Sequence, residues 1–134
     1  MLKKTFTYED FDGNKKTEDF YFNISKVELM ELETEYTGGF SAYIDAISKS
    51  EDAKGALEIF KKIVDLAVGK RSEDGSRFYK SEEIRESFKY SPAYDELFME
   101  LMQDAKKAAA FVEGILPADL REQAKKSLKK AETK

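Results

Sequence analysis

The apolar positions of this chain change their period after residue 24, and that change divides it. Phe6 and Tyr8 alternate with polar residues in an opening run, and Phe20, Phe22 and Ile24 do so in a second. A period of two belongs to a strand with one buried face. Asp12-Gly13-Asn14 lies between the runs, so the pattern predicts a β-hairpin over residues 1–24. Register follows from keeping the aromatics together, because a slip of one residue sends one strand's set to the opposite face. Pairing Phe6 with Phe22 and Tyr8 with Phe20 meets this condition with a five-residue loop, Asp12 to Lys16. Pairing Phe6 with Phe20 across a three-residue loop also meets it and ranks second, while a two-residue Asp-Gly turn fails. Two strands alone are marginal in water, so the aromatic face must rest on helices or on a partner's sheet. The hairpin edge is the first candidate interaction surface.

Beyond Ile24 the period lengthens to that of a helix. Ser25-Lys26-Val27-Glu28 has the form of a capping box, with Ile24 and Leu29 at the positions that staple it. The helix it opens carries Val27, Met30 and Leu32 and stops near Gly38-Gly39. A short helix is expected from Phe40 to Ile47. A third, capped within Ser50 to Asp52, carries Ala56, Leu57, Phe60, Ile63, Val64 and Ala67 up to Gly69. Lys70 to Lys80 shows neither period, turns at Asp74-Gly75 and is expected to be the longest connection. Ser81 caps a short helix with Ile84 and Phe88. The longest periodic segment is Ser91 to Leu116, in which Tyr94, Phe98, Leu101, Ala105, Ala108, Val112 and Ile115 recur at steps of four and three. Unbroken, it would reach about 39 Å. Ser91 as N-cap and Pro92 as first helical residue mark its start; Gly114 and Pro117 mark its end. The fold class is α+β and mainly α. It comprises a hairpin at 1–24, a helical domain of five to six helices at 25–117, and a basic C-terminal helix or tail at 118–134, in one domain overall.

Composition then narrows the chemistry. The chain has no cysteine and no histidine, which removes disulfides, thiolate nucleophiles, zinc-thiolate sites and the usual base of a nucleophilic triad. The net charge is −4. From Pro117 onward six Lys/Arg face three acids, so this segment carries +3 and the body −7. An acidic body argues against nucleic-acid binding, and the lysines of the tail read first as a solvated helix face. No apolar run approaches 18 residues and no leader segment opens the chain, so a soluble intracellular protein with no membrane contact is expected.

Two calcium-like strings fail on inspection. Asp10, Asp12 and Asn14 match the first ligands of an EF-hand loop, but Lys15 stands where glycine is required and Tyr21 where the glutamate belongs. Ser72, Asp74, Ser76 and Glu83 have better endpoints, yet Gly75 comes two places early and a turn followed by a cap explains them. No phosphate-cradling loop is present. No catalytic, cofactor-binding or metal-binding residue is assigned. The candidate contact residues are Tyr8 and Phe20 on the hairpin, with Phe78, Tyr79, Phe88 and Tyr90, which are interleaved with charge beside chain breaks. For these last four, a place in the core and a place on a contact surface both stand.

Several strings resemble a known family. They are Tyr8-Glu9-Asp10-Phe11-Asp12-Gly13 with Thr17-Glu18-Asp19-Phe20-Tyr21-Phe22-Asn23, and Glu28-Leu29-Met30-Glu31-Leu32-Glu33. Gly69-Lys70-Arg71 leads to Asp74-Gly75-Ser76-Arg77-Phe78, and Tyr94-Asp95-Glu96-Leu97-Phe98 closes with Ile115-Leu116-Pro117. Over most of residues 5 to 120 the chain resembles the tail assembly chaperones of long-tailed bacteriophages. The resemblance implies a non-enzymatic viral protein without cofactors that binds the tape measure protein and keeps that long helical chain soluble until tail tube protein polymerises around it. It implies work in the host bacterial cytoplasm during virion morphogenesis and absence from the mature virion. Further partners it implies are the tail tube protein and a longer form of the chain made by ribosomal frameshifting; a homo-oligomer is a separate reading, the oligomeric state being left open by the sequence. Such a shift is expected near Lys125-Lys126 or Lys129-Lys130, since an adenine-rich slippery heptamer encodes paired lysines. The acidic body also fits another class, a phage-encoded inhibitor that presents its carboxylates to a host enzyme as a DNA mimic.

Overall fold

Residues 1–35, 38, 39, 42 and 53–117 are described by the structure, a computed structural model. Strands β1 (Leu2–Glu9) and β2 (Lys15–Phe22) form the expected antiparallel hairpin. Its register differs from both expectations. Phe6 faces Glu18 and Tyr8 faces Lys16, so Phe6 and Phe20 meet on the diagonal with ring centroids 6.1 Å apart. The loop decides this. Asp10 accepts backbone N–H groups from Asp12 (3.0 Å) and Asn14 (2.8 Å), its own N–H donates to the Asn14 carbonyl (2.8 Å), and Gly13 takes φ +85°. A turn closed by an aspartate and a left-handed glycine places the reversal two residues earlier than aromatic pairing alone suggests. The aromatics still share one face, as parity requires.

Helix α1 (Lys26–Glu35) opens with the predicted capping box: Glu28 N–H donates to Ser25 Oγ at 3.1 Å, and Ser25 N–H donates to Glu28 Oε1 at 2.9 Å. Its inward residues are Leu29 and Leu32, whereas Val27 and Met30 lie in solvent. Helix α2 (Ala53–Ala67) buries Phe60, Ile63, Val64 and Ala67, as its period predicts. The helix expected at 40–47 lies outside the described residues apart from Ala42, as does the segment 118–134.

The segment expected to be a long loop is instead a second hairpin. Strands β3 (Val68–Arg71) and β4 (Phe78–Tyr79) pair antiparallel, and β3 also pairs with β2, giving a four-stranded sheet in the order β1-β2-β3-β4. Gly69 is required here by proximity and not by its φ. A Cβ on it would lie 2.4 Å from the Phe78 ring and 2.7 Å from the Tyr79 carbonyl oxygen.

Helix α3 (Glu82–Lys89) is capped by Ser81, whose hydroxyl accepts the Ile84 N–H at 3.1 Å. The long helix expected from Ser91 to Leu116 is two helices, α4 (Pro92–Gln103) and α5 (Ala105–Ile115), divided at Asp104. Asp104 leaves the helical region (φ −133°, ψ 103°) and its carboxylate accepts the N–H groups of Lys106 and Lys107 at 3.0 and 3.2 Å. Ser91 sits at the N-cap position, but its hydroxyl donates back to the Phe88 carbonyl at 2.7 Å.

The helices pack on the face of the hairpin that carries Phe6, Phe20 and Phe22. Phe88 is the hub: its ring lies 4.9 Å from Phe20, 5.4 Å from Phe22 and 5.5 Å from Tyr94, and Phe22 continues the chain of rings to Phe111 at 5.3 Å. Edge-on and tilted aromatic pairs of this kind add about 0.5–1.5 kcal/mol each beyond their buried area. The chain leaving β2 is fastened on both sides, since Asn23 N–H donates to Ala67 O and Ile24 N–H to Ile115 O, each at 2.8 Å.

Candidate protein-binding surface

A core this complete shows by contrast which apolar residues were left out of it. No buried side-chain nitrogen or oxygen lacks a hydrogen-bond partner among the described residues, and no charged residue is fully buried. Among the described charges Lys80 is the one bonded to the most separate elements. Its ammonium donates to Asn23 O (2.6 Å), Leu66 O (2.6 Å) and the Glu28 carboxylate (2.6 and 2.8 Å), joining the exit of β2, the end of α2 and the start of α1. Burial lowers its pKa, and Glu28 opposes that shift. With every N–H engaged, this lysine is a structural pin and offers no free amine for chemistry.

Beside the pin, α1, α2 and α3 enclose a groove of about 280 Å³ lined by Glu28, Glu31, Leu32, Glu35, Lys62, Asp65, Leu66 and Arg85. Lys62 pairs with Glu35 across it at 2.6 Å. Four acids against two bases make the groove acidic, but among the described residues no group of three or more acids is placed to hold a metal ion. Nor is any described helix long and apolar enough to cross a membrane.

The candidate contact residues fall into three settings. Phe88 is core, with 2 % of its surface exposed. Phe20 and Phe78 are half-buried, Phe20 between Phe6 and Phe88 and Phe78 against Gly69. Tyr8 is half-buried with its hydroxyl donating to Glu18 at 2.6 Å, a bond that with the carboxylate's charge pushes the phenol up to about 12. Tyr79 and Tyr90 stand in solvent, 56 % and 69 % exposed.

Periodicity alone missed the rest of this exposed set. Phe11 projects from the tip of the first hairpin at 87 % exposure, and Val27 with Met30 marks the outer face of α1. Met99 and Met102 do the same on α4. The signal was present, since each of these helices carries a second apolar pair three apart that does not fit its buried stripe, Leu29 with Leu32 in one and Leu97, Phe98 and Leu101 in the other. The chain has four methionines, and all four are exposed, from 38 % at Met102 to 67 % at Met30.

No match to the chain is found among curated proteins or among solved structures. A family model described as phage tail assembly chaperone matches residues 1–134, and so takes in both hairpins, every described helix and the exposed methionines and tyrosines alike. The chain therefore belongs to the phage tail assembly chaperone family, whose members are non-catalytic.

Proposed function

We propose that the chain binds the tape measure protein of its phage and keeps that protein soluble while tail tube protein assembles around it. The observation that carries this reading is the position of the methionines. Methionine ordinarily fills cores, and where it gathers at a surface its unbranched thioether adapts to varied apolar partners. Here Met30 and Val27 on α1, Met99 and Met102 on α4, and Tyr79 and Tyr90 each lie outside a core that is closed without them. Separate exposed apolar sites of this kind suit a long amphipathic client, held by several adaptable contacts rather than one deep pocket. The body's negative charge keeps the laden chaperone soluble. In this reading the protein acts in the host cytoplasm and leaves before the virion is complete. A frameshifted longer form would bring the same surface to the tail tube protein.

Coexpression tests the proposal. Segments of the tape measure protein that are insoluble alone should become soluble and copurify with this chain. Replacing Met30, Met99 and Met102 together by glutamine should leave the thermal midpoint within a few degrees and reduce copurification strongly. Segments that remain insoluble beside the native chain, or capture that is indifferent to the methionines, would contradict it.

A further inference from the structure

Strand β1 ends the sheet, with β2 on one side and no described strand on the other. The hairpin loop shows which backbone groups face the open side. Asp10 N–H donates to the Asn14 carbonyl, so Asp10 turns its polar groups toward β2, and by alternation Tyr8, Phe6 and Lys4 do the same. The N–H and C=O groups of Lys3, Thr5, Thr7 and Glu9 therefore point outward, and none makes a backbone bond to another described element. An edge of this length is commonly blunted by lysine. Lys4 is already neutralised within the chain by Glu100 at 2.8 Å, whereas Lys3 keeps only a long, exposed contact with Asp19 at 3.5 Å and can also meet an acid from an edge partner.

We propose that the partner on this edge is a second copy of the chain, its β1 antiparallel to the first about a two-fold axis at Phe6. In that register the outward-facing residues pair Lys3 with Glu9 and Thr5 with Thr7, each pair occurring twice. Opposite charges meet at both ends, threonines whose hydroxyls are already held by Asp19 and Thr17 lie side by side between them, and about eight backbone hydrogen bonds close. The same register carries Met1, 51 % exposed, toward Phe11, 87 % exposed, at each end of the ribbon. A thioether beside a ring edge is a favourable contact, and it covers the most exposed aromatic among the described residues. Neighbouring registers lose this match. A shift of two residues sets Lys3 opposite Thr7, or Glu9 opposite Thr5, and leaves the terminal charges unanswered. The result joins two four-stranded sheets edge to edge and leaves α1 and Tyr79 away from the joint.

Sedimentation equilibrium of the full chain should show a reversible dimer. Lys3→Glu and Glu9→Lys each place like charges opposite one another twice, and each should raise the dissociation constant at least about tenfold. The double variant, Lys3→Glu with Glu9→Lys, should restore it. Thr5→Pro removes an outward N–H without touching the β1–β2 ladder and should weaken the dimer similarly while the chain stays folded. If Thr5→Pro fails to fold, the charge exchange decides alone. A native chain that stays monomeric at millimolar concentration would overturn the proposal. A dimer that ignores both single charge reversals, or that the double variant does not rescue, would overturn it as well.

Discussion

Lys80 shows how much of this fold can hang on one side chain. Its three protons serve two carbonyls and a carboxylate from separate elements, so removing it strands acceptors that are partly withdrawn from water. Lys80→Met should lower stability by about 1–3 kcal/mol in urea unfolding, well above the few tenths expected for the exposed pair Lys3–Asp19. Nothing in the sequence singles this lysine out among its many neighbours of like charge. What selects it is its place one residue beyond β4, with the open ends of α1 and α2 before it. Asp74 is the opposite case, because Asp74-Gly75 announces a turn directly. The backbone N–H of Ser76, then the hydroxyls of Ser72 and Ser76, donate to its carboxylate and lower its pKa from the ordinary 3.8 to about 2. A carboxylate depressed in the fold stabilises it above the ordinary value, and that contribution is lost as pH falls from about 4 toward about 2. Carboxyl NMR shifts should show Asp74 titrating near the lower figure. In Asp74→Asn, the acid limb of the stability curve should flatten in that window. A midpoint near 4 would show that the hydroxyls do not close on it.

Elements were legible from sequence where a local signal was strong and misread where a local signal competed with a periodic one. Of the expected serine caps, Ser25 and Ser81 form the predicted bonds, whereas Ser91 holds the cap position without making one. The steps of four and three from Tyr94 to Ile115 suggest one rod, yet Asp104 offers its carboxylate to the N–H groups of Lys106 and Lys107 and starts a new helix. The restart moves the buried set to Ala108, Phe111, Val112 and Ile115 and leaves Ala105 in solvent. Removing that cap in Asp104→Ala should cost about 0.5–2 kcal/mol in chemical denaturation. The second hairpin escaped notice because four-residue and two-residue strands are too short to display alternation. Gly69 looked like the end of a helix, whereas it is the place where Phe78 lies across β3. In Gly69→Ala the new Cβ would meet both a ring and a backbone oxygen, so a loss of about 1–3 kcal/mol is expected, with weakened protection of the β3–β4 amides in hydrogen exchange.

At the scale of the molecule, the α+β class and the sequence of a first hairpin followed by helices follow from the pattern of the chain, while the second hairpin, the break at Asp104 and the surface do not. Sequence reasoning placed Phe88 beside Tyr90 as a residue of the same kind. Folding sends the one to the centre of the aromatic core and the other into solvent. Which of two neighbouring aromatics is buried depends on helix phase against the sheet, and phase is a tertiary property. Missing cysteine and histidine already turned attention from chemistry to contact, and the family match agrees with that direction. Substituting serine for Tyr79 and Tyr90 together should weaken client capture and leave the thermal midpoint nearly unchanged, because neither ring belongs to the core. A fall of many degrees would place them in the packing. The central claim is that the exposed methionines and tyrosines hold an apolar segment of the tape measure protein in solution. Its most direct test is the soluble fraction of that segment when it is made together with the native chain. The account predicts a soluble, copurifying complex, and a segment that precipitates equally with and without the chain would contradict it.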